Sequence, residues 1–168
     1  TPRKEEDIPD IKTGVFNGKT TGFPIMIFFG NKNTRSGDYD KIRNIPRPGH
    51  ADFVAHKKYG GYEDYRGGGH FSARLTTSIV AAGVIAKKLL KDVTINAKVI
   101  EVGGEADVEK GLSKAIEAKD SVGGIIECRT NGLPLGLGEP YFDSVESVLA
   151  QAMFSIPAVK GVEFGAGF

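Results

Sequence analysis

The sequence predicts a mixed protein, α/β or α+β, and three observations carry that prediction. Segments with alternating apolar residues, the pattern of strands, are interleaved with segments whose apolar residues recur at helical spacing. Gly, Pro, Asn and Asp bound most of them. Over 168 residues, 40% hydrophobic and 26% charged, the composition is that of one ordinary domain with a core.

In chain order, Ile11–Gly18 and Phe23–Phe29 read as two strands joined by a Lys19-Thr-Thr-Gly22 turn. Gly30 to Pro48 is polar, charged and turn-rich, and reads as a loop. After Gly67-Gly68-Gly69, Ser72 can cap a helix reaching about Leu90. Ile79, Ala82, Gly83, Ala86 and Leu90 follow its spacing, and Lys87, Lys88 and Lys91 favour its C-terminal end. Val93–Val102 alternates as a strand, and Val108–Ala118 forms a helix with Val108, Leu112, Ala115 and Ile116 on one face. Val122–Thr130 is a strand and Asn131-Gly-Leu-Pro134 a turn. Asp143 or Ser144 opens a helix to about Phe154, and Val159–Phe164 is a short last strand. No solenoid-length repeat and no low-complexity segment interrupts this order.

No run approaches the roughly 18 apolar residues of a membrane span, and no signal-peptide pattern opens the chain. The one cysteine, Cys128, excludes an internal disulfide and fits a reducing cytosol. Net charge is +1, but residues 41–76 hold seven Lys/Arg against Asp52, Glu63 and Asp64. A basic patch in an otherwise acidic chain points to a local anionic ligand more than to a surface built for nucleic acid. The chain opens without Met and stops on Phe168 after Gly-Ala-Gly, and both ends read as cuts through a longer polypeptide.

Four features of the basic stretch can carry chemistry. Gly67-Gly68-Gly69 ahead of a helix start would offer bare N–H groups to an anion, although a plain flexible loop has the same composition. It matches neither the Walker pattern nor G-x-G-x-x-G after a strand. Arg47 and Arg74 can bind phosphate or carboxylate bidentately, or can be ordinary surface cations. Arg74 falls in a first helical turn, where a cation opposes the helix dipole, and this points to a nearby anion. His50, after a Pro-Gly turn, can exchange a proton near neutral pH or simply bond to backbone. His50, His56, His70 and Cys128 offer metal-ligand chemistry, but their spacings match no zinc pattern. Residue by residue, this is an anion-binding domain with a histidine available for acid–base work.

The assembled strings are more specific. Arg47-Pro-Gly-His-Ala-Asp52, Lys58-Tyr-Gly60, Asp64-Tyr-Arg-Gly-Gly-Gly69 and Ser72-Ala-Arg74, in this order, resemble chorismate synthase. So do Gly136-Leu-Gly-Glu-Pro140, Phe142-Asp143 and the run Ala152–Glu163, with Gly14-Val-Phe16 and Thr20-Thr-Gly22 extending the resemblance over essentially the whole chain. The resemblance implies an α+β fold, a β-α-β sandwich of antiparallel sheets and helices, present here in part. It implies a single domain over residues 1–168, internal to a longer chain. It also implies a carbon–oxygen lyase that eliminates phosphate from 5-enolpyruvylshikimate 3-phosphate in a 1,4-anti sense, giving chorismate in the shikimate pathway.

Reduced FMN is the implied cofactor, with NADPH as reductant only in a bifunctional enzyme. The implied setting is cytoplasmic, homotetrameric at full length, without nucleic acid or membrane. By match of motif, His50 is the histidine placed to protonate the reduced flavin. Arg47, Ala73 and Arg74 bind substrate, and His70, Phe71, Ser72, Pro157 and Ala158 contact flavin. Where the family reads Gly-Arg-Ser-Ser-Ala-Arg-Glu-Thr, this chain reads Gly69-His-Phe-Ser-Ala-Arg-Leu-Thr76, so His70 and Leu75 are departures. A second histidine, further arginines and most flavin-binding loops belong to parts of the family outside these residues, and the chain alone is expected to be inactive. Two other readings stand beside this one: a flavin- or phosphate-binding module without catalysis, and a nucleic-acid binder using the 41–76 patch.

Overall fold

The computed structural model describes residues 5–32, 35 and 37–167. They fall into two compact units, Thr1–Val84 with Gln151–Phe168, and Ile85–Ala150. Helices accompany small antiparallel sheets, so the fold is α+β.

In the first unit, β1 (Pro9–Thr13) pairs antiparallel with β4 (Met26–Phe29), Pro9 opposite Phe29 and Thr13 opposite Met26, with a bulge before Thr13. Between them β2 (Val15–Phe16) and β3 (Lys19–Thr20) close a tight hairpin. The turn therefore lies at Asn17-Gly18 and not at Lys19-Thr-Thr-Gly22. Asn17 and Gly18 have φ of 48° and 71°, the two left-handed residues that a type I′ hairpin turn requires. One helical turn, α1 (Gly37–Asp40), interrupts the expected loop.

A helix absent from the sequence reading, α2 (Asp52–Tyr59), follows directly. Asp52 in its first turn and His56, Lys57 and Lys58 in its last complement the helix dipole, and left-handed Gly60 ends it. The triple glycine lies in a tight turn over Arg66–Phe71, with φ of 64°, 88° and 51° at Gly67, Gly68 and Gly69. Ser72 accepts a hydrogen bond from the Arg74 N–H, opening a single 3₁₀ turn that runs into α3 (Thr76–Leu89). Val159–Phe164 forms no strand, a correction to the sequence reading; no strand among the described residues pairs with it.

In the second unit, β5 (Thr94–Val102) and β6 (Gly124–Asn131) form a long antiparallel pair, Thr94 opposite Asn131 and Val102 opposite Gly124. Between them runs α4 (Val108–Ala118), capped by the Asp107 carboxylate on the Lys110 N–H at 3.2 Å. Gly111 lets it press on β5, since a Cβ there would lie 2.2 Å from the Val102 carbonyl oxygen. Glu105 holds Lys110 at 2.8 Å and also pairs with Lys114. The last helix is α5 (Val145–Phe154), with the Ser144 hydroxyl accepting from the Ser147 N–H.

Ala55 in the first unit and Val102 in the second are the buried apolar side chains among the described residues. Neither α3 nor α5 buries any of its largely apolar residues. Helices of that composition normally lie inside a larger core.

Candidate active site

The chemistry gathers in the first unit, in the segment from Arg47 to Arg74. The turn Arg47-Pro-Gly-His50 is closed by the His50 N–H donating to the Arg47 carbonyl at 3.2 Å, and it brings three side chains together. Arg47 donates through Nε to Asp52 Oδ2 at 2.7 Å and through Nη2 to Oδ1 at 2.9 Å, while its backbone N–H reaches Oδ2 at 3.1 Å. His50 Nδ1 lies 2.6 Å from the same Oδ1. This is the bidentate fork of arginine on carboxylate, with an imidazole added. The hydrogen bonds from Arg47 hold the Asp52 carboxyl far below the usual carboxylate range, with His50 adding to the effect. Asp52 in turn raises the Arg47 guanidinium above its ordinary value.

Arg47 Nη2 also lies 3.2 Å from Nδ1, so the imidazole sits against both members of the ion pair. Nε2 faces Gly68, where a Cβ would stand 2.9 Å from it. Gly68 also has φ of +88°, so glycine meets both the backbone and the space requirement. Arg47 Nη2 is 3.4 Å from Nε2, placing a permanent cation beside the same edge.

The triple glycine parts two cavities. Gly68 lines one of about 150 Å³ together with Arg47, Asp52, His70 and Phe71. Gly67 and Gly69 line another of about 460 Å³ with Arg35, Arg66, Ser72 and Arg74. In the first, His70 lies against Phe71 with ring centroids 4.1 Å apart, and Tyr59 meets His70 edge-on at 5.5 Å. In the second, Arg66 is held bidentately by Asp64 at 2.8 and 2.9 Å. Arg74 donates from Nη2 to Asp7 at 2.7 Å and also pairs with Glu5. The anion implied by a cation at the helix start is thus met, within this chain, by two carboxylates.

Of the residues singled out by sequence, Arg47 and His50 meet directly. His70 and Phe71 share the smaller cavity with Arg47, whereas Ser72 and Arg74 line the larger one. Ala73 is exposed, and its carbonyl accepts from the Thr76 hydroxyl at 2.7 Å. Pro157 and Ala158 form a turn after α5, Ala158 with φ of +70°, and line neither cavity. Asp52, Glu5 and Asp7 are the residues sequence reasoning did not assign, and Gly68 was singled out only as part of the glycine run. Only Asp52 had a signal, an acid two residues after a candidate histidine. Among the described residues no cluster of three or more His, Cys, Asp or Glu is placed to hold a metal, and no helix is long and apolar enough to cross a membrane.

Fold and cavities together are those of an α+β chain with two arginine-lined cavities, neither of which His50 lines. Comparison with known proteins is more specific: the chorismate synthase family profile matches residues 1–168, and the chain belongs to that family. A chorismate synthase of Chitinophaga pinensis is 69% identical over 169 positions, covering all of this chain and 51% of that protein. One from Dehalococcoides mccartyi is 46% identical over 199 positions, and one from Thermococcus kodakarensis 46% over 194, each covering all of this chain and 54% of the relative. Those longer alignments mean that the latter two relatives carry extra residues inside the matched region. The chain spans about half the length of the curated relatives it matches.

Proposed function

We propose that this chain supplies part of the active site of a chorismate synthase, a carbon–oxygen lyase that eliminates phosphate from 5-enolpyruvylshikimate 3-phosphate with reduced FMN as cofactor. The observation that carries the reading is the Arg47–His50–Asp52 cluster, seated against Gly68 in a chain matched by the family over its full length.

The residues present fit an anionic flavin mononucleotide. Glycine amides at positive φ, the Ser72 hydroxyl and the Arg66 guanidinium suit a phosphate, and a Cβ at Gly69 would meet the Asp64 carbonyl at 2.7 Å, so that wall stays bare. The rings of His70 and Phe71 suit a flat aromatic surface. The chemistry the cofactor supplies when bound is transient electron donation that assists loss of phosphate, without net redox change.

The chain's own residues do the rest. His50 holds and moves a proton, with Asp52 2.6 Å from its Nδ1 to stabilise the charged imidazole. Arg47 and Arg74 bind the phosphate and carboxylates of the substrate, Arg47 through Nη1, because its Nε and Nη2 are engaged by Asp52. Pro157 and Ala158 belong to the flavin-binding set in this reading. The enzyme is cytoplasmic and homotetrameric at full length, the cluster completed by chain outside the residues described, and NADPH serves as reductant only if the enzyme reduces its own flavin. Titrating full-length protein with FMN while following flavin fluorescence separates this from a flavin-binding module without catalysis. Substrate that tightens FMN binding supports the enzyme, and substrate without effect contradicts it.

A further inference from the structure

Arg74 is held from an unexpected direction. Its Nη2 reaches the carboxylates of Asp7 and Glu5, from a segment 67 residues earlier in the chain in the case of Asp7. The Glu5 side chain is only 8% exposed; its Oε2 pairs with Arg74 Nη2, and its Oε1 has no hydrogen-bond partner among the described residues. A buried carboxylate with an acceptor unmet is costly, so its position demands a compensating role, and among the described residues it pairs with Arg74. Asp7 adopts φ of +46°, a left-handed conformation that costs a non-glycine residue about 1 kcal/mol. Backbone strain of this kind collects at functional sites.

We infer that Glu5 and Asp7 are positioning residues for Arg74. Asp7, accepting from Nη2, and Glu5, paired with the same nitrogen, leave Nε and Nη1, which have no partner among the described residues, for an anion in the 460 Å³ cavity. The inference rests on the reading of Arg74 as a substrate-binding residue. It runs against simple electrostatics: two negative charges beside an anion site weaken it by field alone, so their removal would tighten binding unless their task is to aim the guanidinium.

The test uses full-length protein with saturating reduced FMN, measuring KM for 5-enolpyruvylshikimate 3-phosphate and kcat. Glu5→Ala/Asp7→Gly removes both carboxylates, with glycine suited to the backbone at residue 7. It raises KM about tenfold, the worth of one charge-assisted hydrogen bond, while kcat stays within about threefold. Glu5→Gln/Asp7→Asn keeps an acceptor at each position and holds KM within about threefold of the wild type. An unchanged or lowered KM in the Ala/Gly variant overturns the inference, as does an amide variant impaired as severely as the Ala/Gly one. Should the double variant not fold, Asp7→Gly alone decides, by a raised or unraised KM. Arg74→Ala separates the two levels: a raised KM there without one in Asp7→Gly overturns the positioning role only, whereas a wild-type KM overturns the anion-binding reading and the inference with it.

Discussion

Replacing Asp52 with Asn probes the heart of the cluster, because the change is nearly isosteric. Asp52 accepts from Arg47 at its backbone N–H, Nε and Nη2, at 3.1, 2.7 and 2.9 Å, and lies 2.6 Å from His50 Nδ1. Asn offers one carbonyl oxygen in place of two ionised ones, and its amide donates where Arg47 or His50 also donates. At least one charge-assisted hydrogen bond is lost, worth about 1.5–3 kcal/mol. If His50 transfers the proton as proposed, that energy corresponds to roughly a ten- to hundredfold fall in kcat. The assay is chorismate formation by full-length Asp52→Asn with reduced FMN, alongside a thermal melt. Arg47 holds Asp52 ionised far below its ordinary range, so the contribution exists above the ordinary carboxylate pKa and is lost only in strong acid. The defect should therefore be present throughout the working pH range. A folded variant with kcat within about twofold of wild type would refute the orienting role.

Two other perturbations bear on the structure. Gly68→Ala forces a Cβ to within 2.9 Å of His50 Nε2 at a φ of +88°. It should cost about 1–2 kcal/mol in a melt and depress kcat at least tenfold, so intact activity would place the reacting edge of His50 elsewhere. Glu105, drawn down to about 2 mainly by hydrogen bonds from Lys110 and Lys114, stabilises the α4 unit above its ordinary carboxylate pKa and loses that effect as pH falls toward 2. Glu105→Gln should thus melt below wild type at pH 7 and match it near pH 2; equal melting at pH 7 would contradict the clamp.

What the sequence disclosed depended on how local each cause was. α4 is legible to the residue because its apolar spacing and the Asp107 cap lie within one stretch. β5 and β6 are legible for the same reason, since alternation marks a strand whatever its partner. α2 escaped notice because Asp52–Tyr59 has no apolar stripe, and only Ala55 is buried along it. The hairpin turn was misplaced because Lys19-Thr-Thr-Gly22 and Asn17-Gly18 are both turn chemistry, and register chose between them. Val159–Phe164 has no strand to pair with among the described residues.

The site divides in the same way. Arg47 and His50 lie three residues apart and show up as a string. Asp52 needed the turn geometry to be seen as their common partner, and Glu5 and Asp7 needed a contact spanning much of the first unit. The family resemblance named Arg47, His50 and Arg74, and the fold sets carboxylates beside them.

The central claim is that His50 moves a proton in the synthase reaction, and the direct measurement is chorismate formation by full-length His50→Ala with saturating substrate and reduced FMN. The account predicts a fall of roughly 10²–10⁴-fold in kcat, the usual worth of a positioned acid or base, with FMN binding and melting temperature close to wild type. Turnover at the wild-type rate would contradict it.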